Sequence, residues 1–205
     1  MILVACSEKR NRTKEDFVIA NGQMPSLAKD KQNDLHVVYG CGDSILFTYM
    51  FATDTAFNPP LISVLPDLAA SHTWGPQIAC SDNGLTVTAC NSNGHIFSYH
   101  NAGTANWTST ARVNDADTIA KENIMSPGGD GKYDYAVWLD LRGSGQNKIY
   151  GARTHDGGKT WSSNKLIFES PDTTVCQCCK PSVVVNDNKV YVMFRNWFDG
   201  NSNSL

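Results

Sequence analysis

Short apolar runs of five or six residues recur along the chain, and within them apolar and polar positions alternate as in half-buried strands. Each run is followed by a polar loop and a second apolar run. The runs are Leu35–Tyr39 with Ile45–Tyr49, Leu85–Cys90 with His95–Tyr99, Tyr135–Leu139 with Lys148–Arg153, and then Val190–Phe194. The first runs begin at residues 35, 85, 135 and 190, so the unit repeats every 50 to 55 residues.

A repeat of this length built only from strands is typical of a propeller blade with four antiparallel strands. The pattern therefore predicts an all-β β-propeller over residues 33–205, with about three to four blades. Closed propellers usually carry about 4–8 blades, so the prediction is an incomplete ring. Residues 7–32 alternate weakly and are predicted as a linker or a strand leading into the first blade. The alternative is a β-sandwich with coincidental spacing.

Composition supports many turns and argues against two other classes of protein. Asn, Asp, Ser, Thr and Gly make up 82 of the 205 residues, whereas only four are Glu, so a helical bundle is excluded. The net charge of −3 argues against a nucleic-acid partner, because binding to phosphates needs a clustered excess of Lys and Arg.

The first six residues predict export. Leu3-Val4-Ala5-Cys6 resembles a bacterial lipobox, in which Cys6 is acylated and becomes the mature N-terminus. The cationic region and most of the apolar region of a signal peptide are missing, so residues 1–6 are predicted as a truncated lipoprotein signal. The expected location is extracytoplasmic, on the bacterial cell surface or in the periplasm, with membrane contact only through the lipid. The alternative is a short apolar strand.

One local motif is more specific than the repeat. The segment 154–161 reads Thr-His-Asp-Gly-Gly-Lys-Thr-Trp, in which Asp156 can accept hydrogen bonds from turn amides and the glycines after it permit a positive φ. Trp161 is predicted to fold back as an apolar plug. The segment resembles the Asp-box of the sialidase and BNR-repeat superfamily, Ser/Thr-x-Asp-x-Gly-x-Thr-Trp. The matching positions are Thr154, Asp156, Gly158, Thr160 and Trp161.

The resemblance implies a sialidase-like propeller with the Asp-box between the third and fourth strands of a blade. The active site of the superfamily lies on the opposite rim, where an arginine cluster binds the substrate carboxylate and a carboxylic acid donates a proton. On that rim, Arg142 and Arg195 are the candidate carboxylate binders, and Asp140 or Asp117 is the candidate acid. The superfamily's N-terminal arginine motif and Tyr–Glu pair have no counterpart here. The alternative role of a rim Arg–Asp pair is a salt bridge that orders its loop.

The cysteines form a second unusual pattern. Cys176, Cys178 and Cys179 lie within four residues, and Cys41 and Cys90 are expected on the same rim. These thiols predict either disulfides or a thiolate site for zinc or copper, and no other cofactor is expected. Seven cysteines is an odd number, and acylation of Cys6 leaves six, which permits full pairing.

Two functions follow from these features. The leading hypothesis is an exported propeller that engages a glycan or glycoconjugate on the rim opposite the Asp-box, acting as a sialidase-type exo-glycosidase on acidic sugars. The alternative is a non-catalytic binding or scaffold propeller, or one that binds a metal through its cysteines. The missing blades are expected from the rest of a longer chain.

Overall fold

The structure, a computed structural model, describes residues 18–71, 74–82, 84–101, 107–117, 120, 125–130, 132–171, 173–186, 189–198 and 201–204. In these residues the chain forms four blades and a final hairpin. Blade one contains β1 (Gln23–Lys29), β2 (Leu35–Cys41), β3 (Ser44–Met50) and β4 (Leu61–Val64). Blade two contains β5 (Gln77–Ser81), β6 (Gly84–Cys90), β7 (Ile96–Asn101) and β8 (Thr108–Arg112). Blade three contains β9 (Met125–Asp130), β10 (Tyr133–Asp140), β11 (Lys148–Thr154) and β12 (Lys165–Phe168). Blade four contains β13 (Ser182–Asn186) and β14 (Lys189–Met193), and the hairpin contains β15 (Arg195–Phe198) and β16 (Asn201–Ser204).

Blades one to three are antiparallel meanders in which sequential strands are hydrogen-bonded neighbours, and in the described residues blade four is a two-stranded antiparallel hairpin. The first strands of successive blades contact one another, β1 with β5, β5 with β9, and β9 with β13, which arranges them about a common axis. The predicted all-β propeller of four-stranded antiparallel blades is confirmed for blades one to three. In blade four the run at Val190 forms β14, the second strand, as its pairing with β13 shows.

The apolar core is divided into three layers, each between two neighbouring blades. Val38 and Phe47 of blade one pack with Val87 and Tyr99 of blade two. Between blades two and three, the fully buried Trp138 is the largest side chain of the layer. The third layer joins blades three and four. Because each layer needs residues from two sheets, burial of apolar area stabilises adjacent blades together.

The first strand of blade one lies within the segment 7–32, which the sequence predicts as a linker or an entry strand. β1 begins at Gln23 and pairs with β2 from Gln23↔Gly40 to Lys29↔Leu35, so blade one includes part of the segment 7–32. The predicted signal 1–6 and its acylated Cys6 lie outside the described residues. Among those that are described, no helix is long and apolar enough to cross a membrane.

The strand order separates the loops into two rims. The loops between second and third strands lie with the connections between blades, as shown by hydrogen bonds from Leu65 N to Asp43 O and from Val175 N to Asn147 O. We call this end the front rim, formed by residues 42–43, 65–71, 91–95, 113–117, 141–147 and 173–181. The opposite end, the back rim, carries residues 30–34, 51–60 and 155–161.

Candidate functional site

Asp140 and Arg142 form a buried ion pair at the front rim. The loop begins at the end of β10, and its turn allows Arg142 N to donate to Asp140 Oδ1 at 2.9 Å. The guanidinium of Arg142 then donates to both carboxylate oxygens, from Nε at 3.0 Å and Nη2 at 2.9 Å. Trp138 Nε1 donates to Oδ2 at 3.0 Å. The Asp140 side chain is 0% exposed, and its oxygens accept four hydrogen bonds.

Arg142 also joins blade three to the connection that arrives from blade two. Its Nη1 donates to Asp115 Oδ1 at 3.1 Å, and its Nη2 donates to Asn164 Oδ1 at 3.0 Å. The guanidinium lies 4.1 Å from the ring centre of Tyr150, a cation–π distance. Although burial opposes it, hydrogen bonding to Asp140 and the charges of Asp140 and Asp115 raise the pKa of Arg142. Arg142 therefore acts as a bridge inside the protein, with most of its donors already used.

Asp117, the other candidate acid, lies in an exposed pair on the same rim. Arg112 Nη1 donates to Asp117 Oδ1 at 2.7 Å, and the Asp117 side chain is 79% exposed. The hydrogen bond and the positive charge of Arg112 lower the pKa of Asp117. A general acid needs the opposite shift, so that it still holds a proton near neutral pH.

Each of the two candidate acids is thus already paired with an arginine. Asp140 is buried and bonded to a guanidinium, and Asp117 pairs with a second one. The geometry of Asp140 and Arg142 favours the alternative role given above, a salt bridge that orders its loop.

Arg195 has a different environment from Arg142. Its carbonyl accepts a hydrogen bond from Cys176 N at 2.9 Å, while its side chain is exposed. In the part of the chain that the structure describes, no side-chain partner of its guanidinium is found. The next residue, Asn196, is fully buried and pairs with Val175. The guanidinium of Arg142 is therefore bound within the protein, whereas that of Arg195 is exposed to solvent.

A third cation lies at the end of the cysteine loop. Lys180 Nζ donates to Gln77 Oε1 at 2.7 Å, which connects the loop before β13 to the first strand of blade two. Partial burial of the ammonium group lowers the pKa of Lys180. Gln77 is itself buried and donates to the carbonyls of Gly75 and Pro76. Lys180 and Gln77 lie at the start of first strands, near the propeller axis.

Three of the predicted cysteines converge and two do not. The Sγ atoms of Cys176 and Cys178 are 2.8 Å apart, those of Cys178 and Cys179 3.5 Å, and those of Cys176 and Cys179 3.9 Å. Within the described ranges, no other group of three metal-ligating side chains is this close. Cys41 is exposed and stays outside the cluster.

The remaining buried thiols have their own surroundings. Cys90 Sγ contacts the carbonyls of Asn91 and Ala120, and burial raises its pKa. Cys80, which the sequence analysis did not select, has a pKa raised to about 11 by burial and by nearby Asp30 and Asp134. Both therefore remain protonated thiols near neutral pH, which are poor metal ligands.

The segment 154–161 forms a turn on the back rim with the contacts that its sequence predicts. Thr160 donates to Asp156 through both its backbone N at 2.9 Å and its hydroxyl at 2.6 Å, and the hydroxyl of Thr154 donates at 2.7 Å. Although burial opposes it, these bonds lower the pKa of Asp156 to about 2. Gly157 and Gly158 have φ values of +70° and +82°. The turn follows β11, the third strand of its blade.

The same turn is attached to the neighbouring blade. Ser98 on β7 donates from its hydroxyl to the carbonyl of Gly158 at 2.6 Å and accepts from Trp161 Nε1 at 3.0 Å. Trp161 packs in the layer between blades two and three. The turn is therefore a structural link between blades, at the end of the propeller opposite Arg142, Arg195 and the cysteine loop.

Asp134 is a buried carboxyl group that the sequence analysis missed. It is 0% exposed, and Oδ2 accepts from the hydroxyls of Ser81 and Thr86 of blade two, each at 3.1 Å. Burial raises the pKa of Asp134, and the two hydroxyls only partly oppose that shift. Its position on the back rim makes it a contact between blades. The alternation of apolar and polar residues in β10 does not identify this acid, because the polar Asp134 lies on the same side of the strand as the apolar Ala136.

Replacing Asp134 with Asn is expected to increase stability more at pH 7 than at pH 4. The folded pKa lies above the unfolded value of about 3.9, so the stabilisation from binding this proton is complete below that value and is lost as pH rises through the folded pKa. Asn keeps an acceptor for both hydroxyls without a charge. Urea unfolding across this pH range measures the difference, with exposed Asp82→Asn as the control. A pH-independent difference contradicts the expectation.

The chain is similar to several solved structures. A protein of unknown function from Dyadobacter fermentans aligns with a TM-score of 0.50 and 13% identity, covering 83% of this chain and 56% of that one. An alpha-L-arabinofuranosidase from Clostridium thermocellum aligns with a TM-score of 0.47 and 13% identity, covering 85% and 61%. The xyloglucan PUL protein GH43B from Bacteroides ovatus gives a TM-score of 0.47 and 13% identity, covering 85% and 36%. At 13% identity, the alignment with the Dyadobacter protein shows a shared fold alone.

The chain spans between about a third and three fifths of these three structures. No protein-family profile matches the sequence, and no curated protein matches it. The resemblance to the sialidase and BNR-repeat superfamily therefore rests on the segment 154–161.

Proposed function

We propose that the front rim binds acidic glycans without cleaving them. The observation that carries the proposal is the exposed guanidinium of Arg195 on a backbone fixed from both sides, by Cys176 N donating to its carbonyl and by Trp197 N donating to Thr174 O. A planar guanidinium binds a carboxylate through two parallel hydrogen bonds, and a fixed backbone reduces the entropy lost on binding.

Lys180 supports an anionic ligand. Arg195 bonds to the first residue of the cysteine loop, and Lys180 is the residue after its last cysteine. The ammonium of Lys180, held by the buried amide of Gln77, carries a second positive charge beside the loop. The resemblance of segment 154–161 to the Asp-box points to the same class of ligand, sugars that carry a carboxylate.

We infer that the rim does not cleave its ligand because both candidate acids are already bonded to other side chains. Asp140 is saturated by Arg142 and Trp138, and Arg112 lowers the pKa of Asp117. Glycoside hydrolysis requires a carboxyl group that holds a proton beside the scissile bond. Binding alone is the function that these groups can perform.

Arg195→Gln is expected to weaken binding of sialyl and uronic-acid oligosaccharides by about 10-fold or more, since hydrogen bonds to charged groups contribute about 1.5–3 kcal/mol. Calorimetric titration measures the change. The matched control is Arg153→Gln, which removes the same charge from an exposed arginine near the back rim, where its guanidinium lies 4.8 Å from the ring centre of Tyr133. The control is expected to bind as the wild type does.

Two results contradict the proposal. If Arg195→Gln and the wild type bind acidic oligosaccharides with equal affinity, the front rim does not bind them through Arg195. Release of the fluorophore from a fluorogenic sialoside by the wild type supports the sialidase-type exo-glycosidase instead. Arg142→Ala is unsuitable for this experiment, because it removes a bridge between blades and alters folding together with binding.

A further inference from the structure

The three thiols of the loop from Cys176 to Lys180 have no role in the proposed glycan binding. They converge within the loop, which is held in place on both sides. Val175 N donates to Asn147 O at 3.0 Å, and Cys176 N donates to Arg195 O at 2.9 Å. At its other end, Lys180 donates to Gln77. The two ends of the loop are therefore held by blades two and three and by β15.

We propose that Cys176, Cys178 and Cys179 bind one thiophilic metal ion, of the class of Zn²⁺ or Cu⁺. Thiolates are the ligands that select these two ions among the biological metals. All three Sγ atoms lie within 4.8 Å of one another, so each can bond to the same ion.

The distances between the sulfur atoms fit such a centre. Tetrahedral zinc with Zn–S bonds of about 2.3 Å places its sulfur ligands about 3.8 Å apart. The Cys176–Cys179 and Cys178–Cys179 separations are 3.9 and 3.5 Å. The Cys176–Cys178 separation of 2.8 Å must increase by about 1 Å for this geometry. Cys178 is the exposed member of the three, so its side chain has room to rotate.

Disulfide formation does not use all three thiols. A bond between any two leaves the third without a partner inside the loop, and Cys41, Cys80 and Cys90 lie outside the cluster. A single metal ion uses all three ligands at once. Three protein ligands leave one position of a tetrahedral ion open for water or a ligand from solution, as in catalytic zinc sites.

Two cations beside the loop can offset the negative charge of a metal–thiolate centre. Three thiolates exceed the charge of a divalent ion by one, and Lys180 and Arg195, which border the loop, supply positive charge. Asn196, which pairs with Val175, is fully buried, and neither polar atom of its amide has a partner among the described residues. Its placement beside Cys176 makes it the nearest candidate for a second layer of hydrogen bonds around the centre.

Metal binding by the full chain tests the proposal. The reduced protein, purified without chelators, is expected to hold one ion per chain by elemental analysis, and Co²⁺ is expected to give a thiolate charge-transfer band in the near ultraviolet. Competition with a zinc chelator and with a Cu⁺ chelator then identifies the preferred ion. Cys178→Ser is expected to lower the affinity by at least about 100-fold, since loss of even an outer hydrogen bond costs about 10–100-fold.

The matched control is Cys41→Ser, which removes an exposed thiol from the same rim but outside the cluster. It is expected to bind metal with the affinity of the wild type. Failure of the reduced wild type to bind either ion overturns the proposal, as does an equal effect of the two variants. The proposal is also overturned if the isolated protein contains a disulfide between Cys176 and Cys178 and still binds no metal after that disulfide is fully reduced. Because Cys178 is exposed, a folding defect is not expected, and circular dichroism checks this.

Discussion

Arg142→Ala is expected to lower the free energy of unfolding by about 3–5 kcal/mol, because it leaves the carboxylate of Asp140 buried without its counter-charge. Asp140 is 0% exposed and receives three of its four hydrogen bonds from Arg142, one from the backbone and two from the guanidinium. The substitution also removes the contact with Asp115, so the layer between blades two and three loses a connection. Urea unfolding at pH 7 measures the loss.

Arg112→Ala is the matched control for that loss. Its partner, Asp117, is 79% exposed, and exposed ion pairs typically contribute little to stability. Both arginines lie on the same rim and between the same two blades, so the difference between the variants isolates the effect of burial. A similar small loss for both contradicts the structural role given to Arg142.

Gly158→Ala is expected to lower the free energy of unfolding by about 2–4 kcal/mol, from backbone strain and from crowding. The φ of Gly158 is +82°, which L-residues adopt at a cost. An added Cβ also meets Thr86 Cγ2 at 3.0 Å and Ser98 Cβ at 3.3 Å, both on blade two. The turn then moves away from Ser98, or its hydrogen bond to the Gly158 carbonyl breaks.

Gly145→Ala separates the two causes. The φ of Gly145 is +72°, and an added Cβ has no heavy atom within 4 Å, so only backbone strain applies. We expect this variant to lose about 1–2 kcal/mol. Thermal and urea unfolding measures the loss of unfolding free energy for both variants. The difference between the two losses is the contribution of close packing between blades two and three. Equal losses contradict the importance of that packing.

The middle strands of each blade could be predicted from the sequence, and the outer ones could not. β2, β3, β6, β7, β10 and β11 all follow the predicted runs, because their apolar residues alternate strongly. β9 reads Met-Ser-Pro-Gly-Gly-Asp, a sequence of turn residues. It is a strand because β10 pairs with it, for example at Tyr135↔Gly128, so tertiary context overrides local propensity.

The same limit applies to the candidate site. The pair of Asp140 and Arg142 was predictable because the two residues are adjacent in one loop. Asp115 and Asn164 reach the same guanidinium from 27 and 22 residues away, and no pattern in the sequence links them to it. Convergence of the three cysteines was visible from their spacing alone. The burial of Asp134 depends on the packing of blade two, which spacing does not encode.

The bond between Ser98 and the turn of blade three has a consequence for how such repeats diverge. Ser98 both donates to Gly158 and accepts from Trp161, so the motif in one repeat is matched to a hydroxyl in the preceding one. Exchanging blade three by recombination without blade two leaves the indole and the carbonyl without that hydroxyl. The smallest transferable portion of this propeller is therefore the segment from β7 through the turn after β11, which includes strands of two blades, rather than a single repeat.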